Sequence, residues 1–178
     1  MKVLVAYVSG FGTTAGVAKE IADVLGRQHM VDLQTLSSVH SLDRYDAVVI
    51  GSSLRAGRWL GAMNKFLTRF REPLSRKPVA IFTVALTAHS QAGGRKVLAE
   101  NLPRLLARYP EIKPMATEAF GGVVDYEKYN VLIRGIMRKA AKEEGLPTSG
   151  FHDYRDWEAI RRWAAEVGET LVEGEVGG

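Results

Sequence analysis

The sequence contains no cysteine, and this absence excludes several kinds of chemistry. Disulfides, thiolate metal sites, iron–sulfur clusters and thiol nucleophiles all require a cysteine side chain. Histidine is sparse and widely spaced, with no HxH or HxxxH pair, so we predict no metal site. No apolar stretch approaches the roughly 18 residues that a transmembrane helix needs. We therefore expect no membrane-spanning segment.

The N-terminus shows no targeting pattern. Its apolar run, MKVLVAYV, is too short for the hydrophobic region of a signal peptide and leads directly into a glycine-rich loop. We interpret this run as a β-strand. The expected location is cytoplasmic, with peripheral contact to the inner face of the membrane as a further expectation.

Acidic residues are scarce in one part of the chain. The formal net charge is +4, and residues 54–77 contain seven basic residues and one acidic residue. Such a segment is either a solvated helix face or a surface that meets an anionic ligand, lipid or partner. We predict an anionic small-molecule substrate and no nucleic-acid partner, and the sequence leaves the oligomeric state open.

Strand and helix patterns alternate along the 178 residues, which is the length of a single domain. Strands are predicted at 2–8, 30–36, 45–51, 78–85 and 112–121. Helices are predicted at 13–27 and 60–70, within 94–109 with a kink or restart at Pro103, and from an N-cap at Asp156 onward. Residues 122–152 form an insertion, and residues 173–178 are expected to fray.

This alternation predicts an α/β fold with a doubly wound, five-stranded parallel sheet of order 2-1-3-4-5. Ligands of such sheets bind beyond the carboxyl ends of the strands, at the point where the strand order reverses. Three loops are predicted to meet there: residues 9–14, 52–59 and 86–94.

The first of these loops lies in the segment YVSGFGTTAG and has hydroxyls and glycines but no lysine. A Walker loop requires that lysine, so ATP or GTP hydrolysis is not predicted. A dinucleotide fold would use Gly10, Gly12 and Gly16, but Asp32 lies too early in the second strand to hold a ribose at its end. A mononucleotide phosphate, held by backbone N–H groups and by Ser9, Thr13 and Thr14, fits the residues best.

The loop SGFGTT resembles the [ST]-x-[ST]-G-x-[ST] pattern of the flavodoxin-like FMN proteins. It keeps Ser9, Gly12 and Thr14 but has Phe11 where the middle hydroxyl would be. One phosphate contact is therefore expected from a backbone group or from Thr13. The resemblance implies FMN as the cofactor.

Two further segments are similar to one long-chain branch of that family. They are VVIGSSLRAGRW at 48–59 and DYRDWEAIRRWAAEV at 153–167, and the insertion before the second is similar as well. The branch contains the menaquinone-dependent protoporphyrinogen IX dehydrogenases. The resemblance implies an FMN-dependent oxidoreductase that oxidises protoporphyrinogen IX, or a similar anionic substrate, and passes electrons to a quinone or redox partner protein. A flavodoxin-type electron carrier and an NAD(P)H-dependent quinone reductase are the alternatives.

The three loops supply the predicted flavin contacts. Residues 51–57 are expected to form a flexible turn facing flavin N5, and Trp59 either covers a ring face or packs on the core. Arg55 pairs with a substrate carboxylate or is a plain surface residue, and His89 either donates to the flavin or substrate or has a structural or surface role. The predicted cofactor-binding residues are Ser9, Gly10, Phe11, Gly12, Thr13, Thr14, Ser52, Ser53, Leu54, Arg55, Gly57, Trp59, Leu86, Thr87, Ala88 and His89.

The insertion carries an amphipathic pattern between Tyr126 and Gly150. Its apolar stripe is flanked by basic residues, which leaves three interpretations open: a helix docked on the domain, a contact with anionic membrane, or a cap over the flavin. The stripe consists of Tyr129, Leu132, Ile133, Ile136, Met137 and Ala140.

Overall fold

A parallel sheet forms the centre of the molecule in the computed structural model, which describes residues 1–55 and 57–176. The strands are β1 (Lys2–Val8), β2 (Met30–Thr35), β3 (Ala47–Arg55), β4 (Arg58–Trp59), β5 (Val79–Ala85), β6 (Ala116–Gly121), β7 (Val123–Asp125) and β8 (Phe151–Asp153). The helices are α1 (Thr13–Leu25), α2 (Gly61–Arg69), α3 (Arg71–Ser75), α4 (Gln91–Leu106), α5 (Val131–Glu143) and α6 (Trp157–Val176).

The sheet order is β2-β1-β3-β5-β6, and all four pairings between these strands are parallel. Counting only these parallel strands, the order is the predicted 2-1-3-4-5. The two-residue strand β4 lies off this path and pairs antiparallel with the end of β3. The predicted α/β fold is confirmed.

Helices cover both faces of the sheet. Consecutive residues of a central strand point to opposite faces, so both must be apolar. Val3 and Val5 of β1 pack in one core cluster with residues of α1 and α6, including Ile21 and Trp163. Leu4 and Ala6 face the opposite side and join a second cluster with residues of α2 and α4. The helices and the sheet thus form three layers.

The third parallel strand is longer than the sequence indicated. It was predicted to end at residue 51, but β3 continues to Arg55 and turns back into β4. Ser52 and Ser53 pair with Thr83 and Val84 of β5, and the Thr83 hydroxyl donates to the Ser52 carbonyl oxygen at 3.0 Å. These contacts with β5 make an extended strand of a segment whose serines and glycines favour a turn.

Two other boundaries differ from the prediction. The last parallel strand starts at Ala116 rather than 112, because Pro114 has no N–H for the ladder and the Met115 N–H is the first to reach Val79. Helix α4 runs from Gln91 to Leu106 without the expected restart at Pro103, which lies in its last turn.

The insertion is helical, as expected, but it also contains two short strands that the sequence pattern does not predict. Strands β7 and β8 pair antiparallel and bring the two ends of the insertion together. Between them lies α5, which begins after Asn130, whose side chain accepts a hydrogen bond from the Ile133 N–H. The insertion therefore starts and ends at one place on the sheet edge.

The final helix begins as predicted, with the Asp156 carboxylate accepting a hydrogen bond from the Ala159 N–H at 2.9 Å. It continues through Val176, so residues 173–176 of the segment expected to fray are helical, and residues 177–178 lie outside the described part. Within the described residues, no helix combines the length and hydrophobicity required to cross a bilayer.

A substitution at Gly51 tests the packing between β3 and β5. A Cβ at this position would overlap the ring of Phe82, which is fully buried and is held by contacts with Phe120 and Trp163. We expect Gly51→Ala to lower the free energy of unfolding by about 1–3 kcal/mol, measured by urea denaturation.

Gly135 provides the matched control, because a Cβ there meets no atom within 4 Å and the residue lies inside a helix. Gly135→Ala is expected to leave stability unchanged or raise it by roughly 0.5–1 kcal/mol. An equal effect at both positions would contradict the proposed overlap with Phe82.

Candidate functional site

A cavity of about 700 Å³ opens at the carboxyl ends of the parallel strands. It is lined by the loop after β1, the end of β3, the turn after β5 and the inner face of the insertion. Its volume lies within the roughly 300–1,000 Å³ typical of cofactor and ligand sites. The three loops predicted to converge do so here.

The loop after β1 leaves its hydrogen-bonding groups free for an anion. Helix α1 starts at Thr13, its N-cap residue Gly12 has φ 86° and no side chain caps the helix. The first N–H groups of α1 consequently have no side-chain acceptor, and an uncapped helix N-terminus attracts negative charge.

Buried hydroxyls extend this arrangement. The Oγ of Ser9 and the Oγ1 of Thr14 are buried, and neither has a hydrogen-bond partner among the described residues. Thr14 is almost completely enclosed, and both residues line the cavity. Because unpaired buried hydroxyls are costly, their presence beside uncapped N–H groups fits a phosphate that accepts from all of them.

At the end of β3, the group left free to bind a ligand in the cavity is a side-chain hydroxyl and not a backbone carbonyl. The carbonyl oxygens of Ser52 and Ser53 already accept hydrogen bonds, from the hydroxyls of Thr83 and Ser52 respectively. The Ser53 hydroxyl lines the cavity and has no partner among the described residues. The prediction of a flexible turn over residues 51–57 is wrong for residues 51–55, which belong to β3. Ser52 is buried and does not line the cavity.

Trp59 does not reach the cavity. It packs beside the core cluster under α2, so of its two predicted roles the structure shows core packing. Gly57 lines the cavity with a φ of 69°, and Leu54 and Arg55 line it as well. Gly12 instead lines a smaller cavity on the other side of the loop.

The turn after β5 divides its predicted residues between the cavity and the insertion. Leu86 and Thr87 line the cavity, whereas Ala88 is buried in a cluster with Val97 of α4. His89 turns towards the insertion, where its Nε2 lies 3.6 Å from a carboxylate oxygen of Glu144. The predicted contact of His89 with a ligand is not what the structure shows.

The insertion forms the roof of the cavity, which sequence reasoning left as one of three alternatives. Tyr129 contacts Phe11 with ring centroids 4.9 Å apart, and burial raises the pKa of the Tyr129 phenol. The lining residues contributed by α5 are Ile133, Ile136, Met137, Lys139, Ala140 and Glu143. The apolar stripe predicted most of them, and Lys139 belongs to the basic residues that flank the stripe, whereas Glu143 carried no signal of its own.

Asp32, the residue that a dinucleotide site would need, is occupied elsewhere. It lies opposite Leu4, three positions before the end of β2, and accepts hydrogen bonds from Tyr45 and Arg44 at 2.7 and 2.8 Å. The Tyr45 hydroxyl, with Lys2 and Arg44 nearby, holds the pKa of Asp32 below its ordinary value. This carboxylate stabilises the strand edge.

A parallel sheet of this order, with an anion-binding loop after its first strand, is the architecture of flavodoxin-like flavoproteins. Residues 4–150 match the model of the flavodoxin domain, and the chain belongs to that family. Membership confirms FMN as the cofactor expected from the sequence. The cavity residues fit FMN, because the buried hydroxyls of Ser9 and Thr14 beside the start of α1 suit a phosphate.

Two curated relatives bear the name protoporphyrinogen IX dehydrogenase [quinone]. The protein from Leishmania major is 28% identical over 168 residues, covering 88% of this chain and 71% of the relative. The protein from Escherichia coli K12 is 26% identical over 166 residues, covering 88% and 91%.

Solved structures support the fold. Flavodoxin 1 from Bacillus cereus has a TM-score of 0.59 at 16% identity, covering 95% of this chain and 98% of that structure. A flavodoxin from the domain Archaea has a TM-score of 0.54 at 18% identity, covering 96% and 99%.

Removing one hydroxyl tests the phosphate site. We expect Thr14→Val to raise the dissociation constant for FMN roughly 10- to 100-fold, because a hydrogen bond to a charged group is lost. The free energy of unfolding of the FMN-free protein should not fall, since the hydroxyl has no partner among the described residues. Flavin fluorescence titration and urea denaturation measure the two quantities.

Thr14→Ser keeps the hydroxyl and serves as the control, with FMN affinity expected close to that of the unmodified chain. Riboflavin, which has no phosphate, should bind all three proteins equally. A loss of riboflavin affinity in Thr14→Val would assign the effect to packing and contradict the phosphate contact.

Proposed function

We propose that this chain is an FMN-dependent oxidoreductase that oxidises protoporphyrinogen IX, or a similar anionic and largely apolar substrate, and transfers the electrons to a quinone. The observation that carries the proposal is the roofed cavity, in which an anion-binding loop and an apolar helix face the same space. The printed names of the two curated relatives support the choice of substrate and acceptor.

Bound FMN supplies the electron-transfer chemistry, and the protein binds, orients and shields. Ser9, Thr14 and the start of α1 would hold the phosphate. The Ser53 hydroxyl, which has a lone pair as well as a proton, would hydrogen-bond to the ring in either of its protonation states. Ile133 and Met137 of α5 would exclude water and contact an apolar macrocycle.

The charged residues of the cavity favour an anionic substrate. Arg55 and Lys139 line it, and neither has a carboxylate within 4 Å among the described residues. Glu143 is the acidic residue among those that line this cavity. A substrate carboxylate would therefore meet at least one unneutralised cation, Lys139, whose charge attracts it.

The outer side of α5 suits a lipid-borne acceptor. Val131 and Leu132 expose 85 and 73% of their surface and do not line the cavity, and Lys128 lies exposed just before the helix. Apolar side chains beside a basic residue are typical of peripheral contact with anionic membrane. We include such a contact in the proposal because quinones are membrane-soluble.

An anaerobic assay tests the function directly. Protein reconstituted with FMN should convert protoporphyrinogen IX to protoporphyrin in the presence of a menaquinone analogue, followed by porphyrin fluorescence. No conversion would reject the proposal. Rapid bleaching of the flavin by NADPH would point instead to a quinone reductase, and two widely separated one-electron midpoint potentials would point to a carrier.

Lys139→Gln tests the substrate-binding cation. We expect it to weaken the binding of a porphyrin dicarboxylate about three- to tenfold, because an ion pair in a partly open cavity is lost. Binding of the corresponding dimethyl ester should not change, since the ester carries no charge. Quenching of porphyrin fluorescence measures both affinities.

Lys142→Gln is the matched control, because Lys142 is exposed on the same helix and does not line the cavity. It should leave both affinities unchanged. If Lys139→Gln and Lys142→Gln weaken dicarboxylate binding equally, the effect comes from overall charge, and the role of Lys139 is rejected.

A further inference from the structure

The loop that binds the phosphate is one hydroxyl short. Phe11 stands at the middle hydroxyl position of the flavodoxin pattern that the loop resembles, and no lysine is present in the loop. The sequence suggested that a backbone group or Thr13 supplies the missing contact. The structure offers a different and charged donor.

That donor is Arg55, which comes from another part of the chain. Its guanidinium lies directly on the loop, so close that a Cβ on Gly10 would overlap its Nη2 atom. The same group lies over the Phe11 ring, with its Cζ 4.5 Å from the centroid. Arg55 lines the cavity, and its guanidinium makes no hydrogen bond or ion pair with any described residue.

Two features of the fold position the guanidinium at the loop. Arg55 is the last residue of β3, where it pairs with Arg58 across the β3–β4 hairpin. Phe11 is fixed in turn by its contact with Tyr129 of the insertion. A cation over an aromatic face is attracted by the ring. Phe11, which has no hydroxyl of its own to donate, therefore holds a charged donor beside the loop.

We propose that Arg55 binds the 5′-phosphate of FMN and thereby replaces the hydroxyl lost at Phe11. A guanidinium presents paired N–H donors that match phosphate oxygens, and its charge complements the dianion. The inference depends on FMN being the cofactor and not on the identity of the substrate. It also assigns Arg55 to the cofactor, which leaves Lys139 as the cavity cation for a substrate carboxylate.

The ratio of riboflavin to FMN dissociation constants tests this assignment, because only FMN has the phosphate. We expect Arg55→Gln to weaken FMN binding roughly 10- to 100-fold and to change riboflavin binding less than threefold. The FMN affinity of the unmodified chain should also fall more steeply with salt than that of the variant. Flavin fluorescence titrations at several salt concentrations provide both readouts.

Arg58→Gln removes the same charge from the same hairpin, at an exposed position that does not line the cavity. It should leave the ratio unchanged. Arg55→Lys keeps the charge but loses the paired donors, and we expect an intermediate ratio. Circular dichroism of each variant shows whether the fold is intact, and Arg55→Lys keeps the test valid if Arg55→Gln does not fold.

Phe11→Ser supplies a second, independent test by restoring the hydroxyl of the family pattern. In this background Arg55→Gln should weaken FMN binding less than it does in the unmodified chain. Equal losses in both backgrounds would reject the replacement. If Arg55→Gln leaves the ratio of riboflavin to FMN dissociation constants unchanged, the proposal is overturned. If the ratio is unchanged because both affinities fall equally, Arg55 is assigned to the flavin ring instead.

A negative result in the protoporphyrinogen assay does not affect these measurements, which need no substrate. Failure of the unmodified chain to bind FMN more tightly than riboflavin would reject the phosphate site itself. The two proposals therefore fail in distinguishable ways.

Discussion

The cavity at the carboxyl ends of the strands depends for its binding chemistry on the N-terminus of α1, which has no side-chain cap. Most helices satisfy their first N–H groups with a neighbouring Ser, Thr, Asp or Asn, but Gly12 provides no side chain. Ser9 and Thr14 hold their hydroxyls beside these groups without pairing them to the protein. An unfavourable arrangement in the protein alone becomes favourable when a phosphate accepts these hydrogen bonds.

The rest of the sheet edge is organised around this loop. Hydrogen bonds from Thr83 and Ser52 fix the two peptides at the end of β3 and carry the strand onward to Arg55. The hairpin then brings a cation back over the loop, while the insertion places Tyr129 against Phe11. Three segments far apart in sequence thus meet at the loop after β1.

Much of this was readable from local chemistry. The alternation of strands and helices, the glycine-rich loop before α1 and the Asp156 cap follow from apolar periodicity, glycine placement and a capping residue, which act within a few positions of the chain. The errors share a different origin. Ser52 was predicted to lie in a turn because Ser and Gly disfavour strands, but Thr83 on a neighbouring strand outweighs that preference.

Trp59 and His89 show the same limit. Both lie in loops that approach the cavity, and nothing local distinguishes a ring that faces a ligand from one that packs elsewhere. Trp59 is drawn into the core under α2 and His89 towards Glu144. Similarly, the stripe on α5 and its flanking basic residues predicted an amphipathic helix but not which side faces the cavity, so the position of Lys139 in the cavity lining was not predicted.

The insertion has a small core of its own, formed by Val124, Tyr126, Tyr129 and Ala141, which is separate from the two clusters that stabilise the sheet. Its ends meet at the β7–β8 ribbon, and it contacts the rest of the domain through Phe11 and His89. Because these clusters are separate, substitutions in the insertion are expected to change the roof of the cavity with little effect on the stability of the sheet. Related chains are therefore expected to differ in what binds beneath this insertion while retaining the same flavin.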